Sequence, residues 1–187
     1  FTEKFLKLGL DTYKYNNYDI PEIEEFPFIV YQREDDFQGF SVTIPYKQSI
    51  IKYLDEVDGD AKKIGAVNTI KVTKDNRLIG YNTDVYGFQK SIEPLLQKHH
   101  KRALILGTGG ASKAVAYALS KLGVEYEFVS RNVSENSFLY SILSKQIIEN
   151  HTVIINCTPL GTHPNIDDSP SIPYEFITKK HLLFDLI

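Results

Sequence analysis

The sequence predicts a two-domain α/β protein, with an N-terminal α/β domain over 1–100 and a C-terminal Rossmann-like domain over 101–187 built on a parallel sheet. Three observations carry that prediction. Apolar strand patterns at 103–106, 124–129, 152–157 and 181–187 recur in a strand–helix–strand rhythm, the signature of parallel strands joined by crossovers. At the first strand-to-helix junction stands a glycine-rich turn, Gly107-Thr108-Gly109-Gly110-Ala111. Ahead of it the polar, basic stretch His99-His100-Lys101-Arg102 marks a boundary near residue 100, before which the rhythm is different.

In the first half, residues 1–9 read as a helix closed by glycine and 12–18 as an aromatic, polar strand. Residues 21–31 suit a short helix or an irregular turn. Residues 39–44 form a strand pattern closed by Pro45, and 46–54 follow as a helix. Residues 66–72 and 78–82 are two short strands around the turn Lys74-Asp75-Asn76. A helix over 85–100 then leads to the junction, where the neighbouring side chains of His99 and His100 diverge into a solvated loop. In the second half, Leu104, Ile105 and Leu106 form a strand apolar on both faces, as a parallel sheet requires. Residues 111–122 are rich in Ala, Leu and Lys, with Gly123 where a helix stops.

The glycine turn carries the chemistry of this half. A helix starting there points its unpaired N–H groups, and the positive end of its dipole, at the turn's occupant. Pyrophosphate is the usual occupant, and a ligand-free glycine-rich connection is the plainer alternative. The strand before and the helix after favour a dinucleotide. The tip of the next strand, Ser130-Arg131-Asn132, selects which one. An NAD site places a carboxylate there, about 20 residues past the glycines, on the ribose 2′-OH. Here Glu127 lies inside the strand, Glu135 comes later, and the tip is Arg131, a cation suited to a 2′-phosphate. The tip therefore favours NADP.

Composition sets the outer bounds. The chain has 187 residues, 42% hydrophobic and 24% charged, ordinary for a globular protein. A formal net charge of −3 offers no electrostatic reason to expect nucleic acid or an anionic membrane surface as partner. No run approaches the ~18 apolar residues of a membrane span. The single cysteine, Cys157, cannot form an internal disulfide or a Cys-pair zinc site, which suits a reducing compartment such as the cytoplasm. No His or Cys cluster suggests a metal. The absence of Met, a helix already under way at Phe1 and a strand running to Ile187 lead us to expect further segments at both termini.

Three segments of the first half stand out: Gly39-Phe40-Ser41-Val42-Thr43-Ile44-Pro45-Tyr46-Lys47, Gly65-Ala66-Val67-Asn68-Thr69 and Gly80-Tyr81-Asn82-Thr83-Asp84-Val85-Tyr86-Gly87. Each ends a strand or opens a helix with small, hydrogen-bonding residues, where α/β proteins gather ligand groups. Taken singly, Thr43 and Thr69 also suit ordinary strand positions, Lys47 a solvated first helical turn and Asp84 a helix cap. Together, in front of a nucleotide domain, they suit a small polyhydroxylated substrate.

With the glycine turn and Ile155-Asn156-Cys157-Thr158-Pro159-Leu160-Gly161, these segments resemble shikimate dehydrogenase, in consistent order across the chain. The resemblance implies reversible, NADP-dependent reduction of 3-dehydroshikimate to shikimate on the route to aromatic amino acids. It implies Lys47 and Asp84 as the catalytic pair, with Thr43 and Asn68 contacting the substrate beside them. It implies Gly107, Thr108, Gly109, Gly110 and Ala111 at the pyrophosphate, Ser130, Arg131 and Asn132 at the adenosine phosphate, and Thr158 and Leu186 on the nicotinamide side. Under it, 1–100 is a substrate-binding domain with a linker helix and 101–187 an NADP-binding domain, in a monomer or homodimer. The chain departs from the family pattern at Ser41, usually Asn, and at Thr162, commonly Met. The stretch 134–150 is shorter than the family leads us to expect. The family's serine-containing substrate loop, its substrate-contacting tyrosine and glutamine and its closing helices would lie before Phe1 and after Ile187. A quinate/shikimate dehydrogenase using NAD or NADP is the nearest rival. A non-catalytic ligand sensor of the same fold is the other, disfavoured by the intact Lys47 and Asp84.

Overall fold

The computed structural model describes residues 1–32, 37–132, 137–164 and 166–186, and the chain divides into compact units Phe1–Asp36 and Phe37–Ile187. Glu135 and Ile187 lie outside the described residues.

In the first unit, helix α1 (Thr2–Lys7) is closed by Gly9 at φ 66, the left-handed conformation that glycine adopts without steric cost. The strand expected over 12–18 does not form. Its aromatic rings turn back onto α1, with Tyr15 stacked on Phe1 at 4.5 Å and Tyr13 tilted on Phe5 at 5.8 Å. Local ring packing here wins over β-propensity, which depends on having a neighbouring strand. A 3₁₀ turn (Ile23–Glu25) leads into helix α2 (Phe26–Gln32), burying Ile23 and Phe26.

The second unit opens with a four-stranded sheet of β1 (Gly39–Ser41), β2 (Glu56–Val57), β3 (Thr69–Val72) and β4 (Leu78–Tyr81), in the order β1-β3-β4-β2. β3 and β4 form the expected antiparallel hairpin, with Asn76 at φ 63 in its turn. β1 pairs antiparallel to β3, and β2 parallel to β4. The strand expected over 39–44 ends at Ser41. The helix expected over 46–54 is instead a turn followed by a 3₁₀ segment (Ser49–Tyr53). Here the Lys47 carbonyl accepts from Val67 N at 2.7 Å, so that segment spends a backbone group on a neighbouring element. Helix α3 (Gly59–Ile64), which the sequence reading passed over, has a clear local cause. Asp58 caps it, accepting from Asp60 N at 3.1 Å, and Gly65 at φ 69 closes it. Helix α4 (Asp84–Ile92) is shorter than the expected 85–100, giving way to a 3₁₀ turn (Glu93–Leu95). Pro94 in that turn has no N–H to continue the α-helical ladder.

The second sheet is wholly parallel, in the order β7-β6-β5-β8-β9. It comprises β5 (Arg102–Leu106), β6 (Glu125–Ser130), β7 (Ser137–Leu139), β8 (Val153–Asn156) and β9 (Leu182–Asp185). Helix α5 (Gly110–Lys121) links β5 to β6, and α6 (Lys145–Asn150) precedes β8. Among the described residues the β8–β9 connection holds only a 3₁₀ turn (Tyr174–Phe176), not the crossover helix the rhythm implied. Pro159, Pro164, Pro170 and Pro173 crowd that connection and deny it a continuous helix. On one face of the sheet Ala103, Ile105, Val153 and Ile155 pack under α4 and α5. On the other, Leu104, Leu106, Val129 and Ile154 pack with Leu143, Ile148 and Ile172.

The His99–His100 loop also differs from expectation. The rings lie 4.2 Å apart, and Nε2 of each faces the Lys180 carbonyl, at 2.9 and 3.1 Å. His100 is buried, and its Nδ1 accepts from Gln97 N at 3.0 Å, so the neutral ring with its proton on Nε2 fits both bonds. Burial, with His99 and His181 nearby, holds the His100 pKa below its ordinary 6.5, against the pull of the Lys180 carbonyl. Above that value neither folded nor unfolded chain protonates here. As pH falls below it the unfolded chain takes up a proton the folded chain resists, so stability falls. We therefore expect urea unfolding of wild type to lose stability relative to His100→Gln as pH is lowered below 6.5, and the difference between them to stay constant above it.

Candidate active site

The three motifs of the first half converge at one end of the four-stranded sheet. Lys47 Nζ donates to Asp84 Oδ2 at 2.7 Å, an ion pair whose side chains are 19% and 37% exposed. Asn68 Nδ2 donates to the other carboxylate oxygen, Asp84 Oδ1, also at 2.7 Å. Asn68 Oδ1 in turn accepts from Thr83 N at 2.9 Å and from Thr69 Oγ1 at 3.1 Å. Asp84 is therefore held from both oxygens by two donors from two elements, leaving its remaining lone pairs for a third. Lys47 keeps donors beyond the one given to Asp84. Thr43 lies exposed two positions past β1, its carbonyl accepting from Tyr46 N at 2.9 Å in the turn that leads to Lys47. A cation with spare protons beside an acceptor-only carboxylate can bind vicinal hydroxyls and transfer a proton to or from one of them.

The glycine turn lies against this pair. A Cβ added to Gly110 would sit 3.7 Å from Lys47 Cβ and 3.9 Å from its Cδ, so the first turn of α5 passes the lysine stem with about the room of one methyl group between them. Gly107 adopts φ +102, and a Cβ there would come within 3.3 Å of the Cys157 carbonyl and 3.4 Å of Thr158 Cγ2. Thr108 and Gly109 are exposed, no atom lies within 4 Å of a Cβ placed on Gly109, and Ala111 follows one residue into α5. Bare backbone at a helix start suits close approach by a phosphate. Gly107 N also donates to the Val129 carbonyl at 2.8 Å, tying the turn to the end of β6.

That end carries Ser130, Arg131 and Asn132, with Arg131 exposed and Asn132 N donating to Ser130 Oγ at 3.2 Å. Glu127, inside β6, is committed elsewhere. It accepts from Arg102 Nη2 at 2.7 Å and lies 2.7 Å from Nε2 of buried His151. On the other side of β5, Asn156 at the end of β8 organises the loop after it. Its Oδ1 accepts from Thr158 N at 3.0 Å and Thr158 Oγ1 at 2.7 Å, while its Nδ2 faces the Asp185 carboxylate at 3.2 and 3.3 Å. Leu186 N donates to the Asn156 carbonyl at 3.3 Å, which sets Leu186, 39% exposed, beside Thr158's loop. Burial pushes the Cys157 thiol up to about 12, helped by the Asp185 carboxylate, so the thiolate needed for nucleophilic chemistry does not form near neutrality. Among the described residues no group of three His, Cys, Asp or Glu side chains could hold a metal.

Residues 1–70 match the model of the shikimate dehydrogenase substrate binding domain. A shikimate dehydrogenase (NADP(+)) of Methanococcus maripaludis is 40% identical over 200 residues, spanning 96% of this chain and 69% of its own length. The chain belongs to the shikimate dehydrogenase family. The Thermus thermophilus shikimate dehydrogenase, solved with NADP(H) and shikimate, superposes with TM-score 0.76 at 28% identity, covering 91% of this chain and 66% of that one. The Corynebacterium glutamicum quinate dehydrogenase, solved with NAD, has TM-score 0.75 at 26% identity, covering 89% and 64%.

The two departures from the family pattern are now visible as structure. Ser41 ends β1, exposed, where a hydroxyl can still hydrogen-bond. Thr162, also exposed, turns its hydroxyl onto the Pro159 carbonyl within its own loop. Sequence reasoning gave no separate role to Asn82 or Asn156, although both stood inside the quoted motifs. Their signal was an Asn two residues before a named site residue, the spacing of an Asx turn.

The geometry at Gly107 yields a test. Gly107→Ala meets both a left-handed backbone and the Cys157 carbonyl, so we expect it to destabilise the fold by about 1–3 kcal/mol. Gly109→Ala, with open space around its Cβ, is expected to cost well under about 1 kcal/mol. Urea denaturation of the two variants against wild type checks the contrast.

Proposed function

We propose that the protein catalyses the reversible reduction of 3-dehydroshikimate to shikimate with NADP(H), with residues 1–100 supplying substrate contacts and 101–187 the nucleotide site. The closeness of Gly110, at the start of α5, to the stem of Lys47 carries this reading, because it sets a pyrophosphate-type turn next to the Lys–Asp pair that the converging motifs share. NADP fits the residues present. Gly107, Thr108, Gly109, Gly110 and Ala111 bring backbone to a helix N-terminus, with open space beside Gly109, and the exposed Arg131 supplies a cation where NAD sites carry a carboxylate. Thr158 and Leu186 would flank the nicotinamide. When bound, the cofactor supplies or accepts the hydride.

The chain's own residues handle the proton and the orientation. Negative charge growing on the carbonyl oxygen during reduction is met by the Lys47 ammonium, which then donates the proton. Asp84 holds Lys47 in place at 2.7 Å and accepts from a substrate hydroxyl, while Asn68 steadies Asp84 and, with Thr43, adds further polar contacts. In the oxidative direction Lys47 accepts the proton or passes it on; because oxidation releases a proton and reduction consumes one, alkaline pH is expected to favour shikimate oxidation and lower pH ketone reduction.

Turnover measured with shikimate against quinate, and NADP against NAD, tests the assignment directly. Preference for quinate with NAD would transfer it to the quinate branch of the family, and saturable binding without turnover to a ligand sensor.

Lys47→Ala should lower kcat by about 10²–10⁴-fold, with a smaller change in substrate affinity. Asp84→Asn should also be severe, and the double variant little worse than the worse single one, because the two act as a unit. Turnover of Lys47→Ala near wild type with an unchanged pH profile would remove Lys47 as the proton-transfer group.

Arg131→Asp should raise KM for NADP sharply while leaving KM for NAD nearly unchanged, since only NADP carries the 2′-phosphate. Equal losses for both cofactors would show that Arg131 does not read that phosphate.

A further inference from the structure

We infer that Asn82 is a positioning residue for the Lys47–Asp84 pair, acting through the two backbone segments that carry it; this rests on the function proposed above. Asn82 follows β4, half-buried, and uses both ends of its amide. Its Oδ1 accepts from Asp84 N at 3.1 Å and Val85 N at 3.3 Å, holding the first N–H groups of α4. Its Nδ2 donates to the carbonyl of fully buried Ala66 at 3.0 Å. The segment it grips is the one that supports the rest of the site. Val67 N, next in sequence, donates to the Lys47 carbonyl at 2.7 Å, and Asn68 after it donates to Asp84 Oδ1 at 2.7 Å. One side chain thus sets the start of the helix bearing Asp84 against the strand entry that anchors Lys47 and Asn68.

The two halves of that task have different chemical requirements. Any short side chain with an oxygen acceptor can hold the N–H groups at the start of α4, so Ser and Asp serve there. Only an amide also presents an N–H to the Ala66 carbonyl from the same side chain. Asn82→Ser and Asn82→Asp therefore keep the cap and cut the tether, whereas Asn82→Ala cuts both. Hydride and proton transfer depend steeply on alignment, so a small shift between the two segments appears in kcat rather than in folding.

The experiment measures thermal midpoint, kcat and the KM values of shikimate oxidation for wild type, Asn82→Ser, Asn82→Asp, Asn82→Ala and Asp84→Asn. The expected result is a kcat lowered about ten- to a hundredfold in both the Ser and Asp variants. Their thermal midpoints should fall less than that of Asn82→Ala, since they keep the cap and lose only the donor to the buried Ala66 carbonyl, and their KM for NADP should stay within about twofold of wild type. Asn82→Ala should lose thermal stability as well. Wild-type kcat in either the Ser or the Asp variant would reduce Asn82 to a helix cap and overturn the proposal. A kcat loss matched by falls in thermal midpoint and NADP affinity in both variants would also overturn it, as a general structural effect. Two controls separate the outcomes: absence of shikimate turnover in wild type defeats the underlying function and the positioning role with it, full turnover in Asp84→Asn removes the pair that Asn82 would position, and an impaired Asp84→Asn beside Ser and Asp variants of wild-type turnover defeats the positioning role alone.

Discussion

The site depends on the packing of α4 against α5 over one shared core. Val85, Phe88 and Ile92 of α4 meet Ala114, Val115, Ala118 and Leu119 of α5 above Ile105 and Ile155 of the parallel sheet. α4 begins at Asp84 and α5 at the glycine turn, so this apolar contact sets a carboxylate and a phosphate-type turn at one level. Burying a side chain of this size contributes about 1.5–3 kcal/mol, and small residues such as Ala114 and Ala118 let the two helices approach closely. Phe88 extends the same layer to the far edge strand through an edge-on contact with Phe184 at 5.3 Å.

Polar contacts trim that arrangement rather than create it. Along α5, Lys113, Tyr117 and Lys121 recur every four residues and so share one face. Lys113 reaches Gln48 at 3.1 Å, and Tyr117 and Lys121 both reach the Asp60 carboxylate, at 2.7 and 2.6 Å. Lys121 and the Tyr117 hydroxyl hold Asp60 below the usual carboxylate range. The Asp60–Lys121 pair is 42% and 40% exposed, where water screens an ion pair. Such contacts select one orientation of α3 on α5 while adding little to stability. The gap between the two scales explains how a site built from separate segments keeps its alignment: apolar burial fixes the helices, and directional bonds at their surface and at Asn82 set the fine register.

Beside the glycine turn, charge is sorted by depth in the strand. Glu127 is held by Arg102 and by buried His151, while the strand's other acid, Glu125, stands at its opposite end. Arg131, two residues past the last core residue Val129, stays exposed. A strand that commits Glu127 to internal partners and presents a cation at its tip is electrostatically suited to a second phosphate.

Local residue patterns dictate the parallel sheet, because runs such as Leu104-Ile105-Leu106 are apolar on both faces and only a doubly covered strand accommodates that. They also dictate the glycine turn, the β3–β4 hairpin and the membership of the site motifs, since these depend on residue types at fixed local spacing. Other features were decided by contacts between elements, some close in the chain and some far apart. Residues 12–18 have strand-forming composition but pack their rings on α1, and the segment around Lys47 yields a carbonyl to Val67 instead of completing a helix. The crossover before β9 lost its helix to its prolines, a signal that was legible and was outweighed by the rhythm around it. His100 read as solvated because its neighbours in sequence are polar, and it is buried because Lys180, 80 residues away, offers its carbonyl. The pairing of Lys47 with Asp84 and the tether from Asn82 to Ala66 belong to the same class. Local spacing marked each residue as a candidate, but a hydrogen bond across 37 or 16 positions exists only once the intervening chain has folded back.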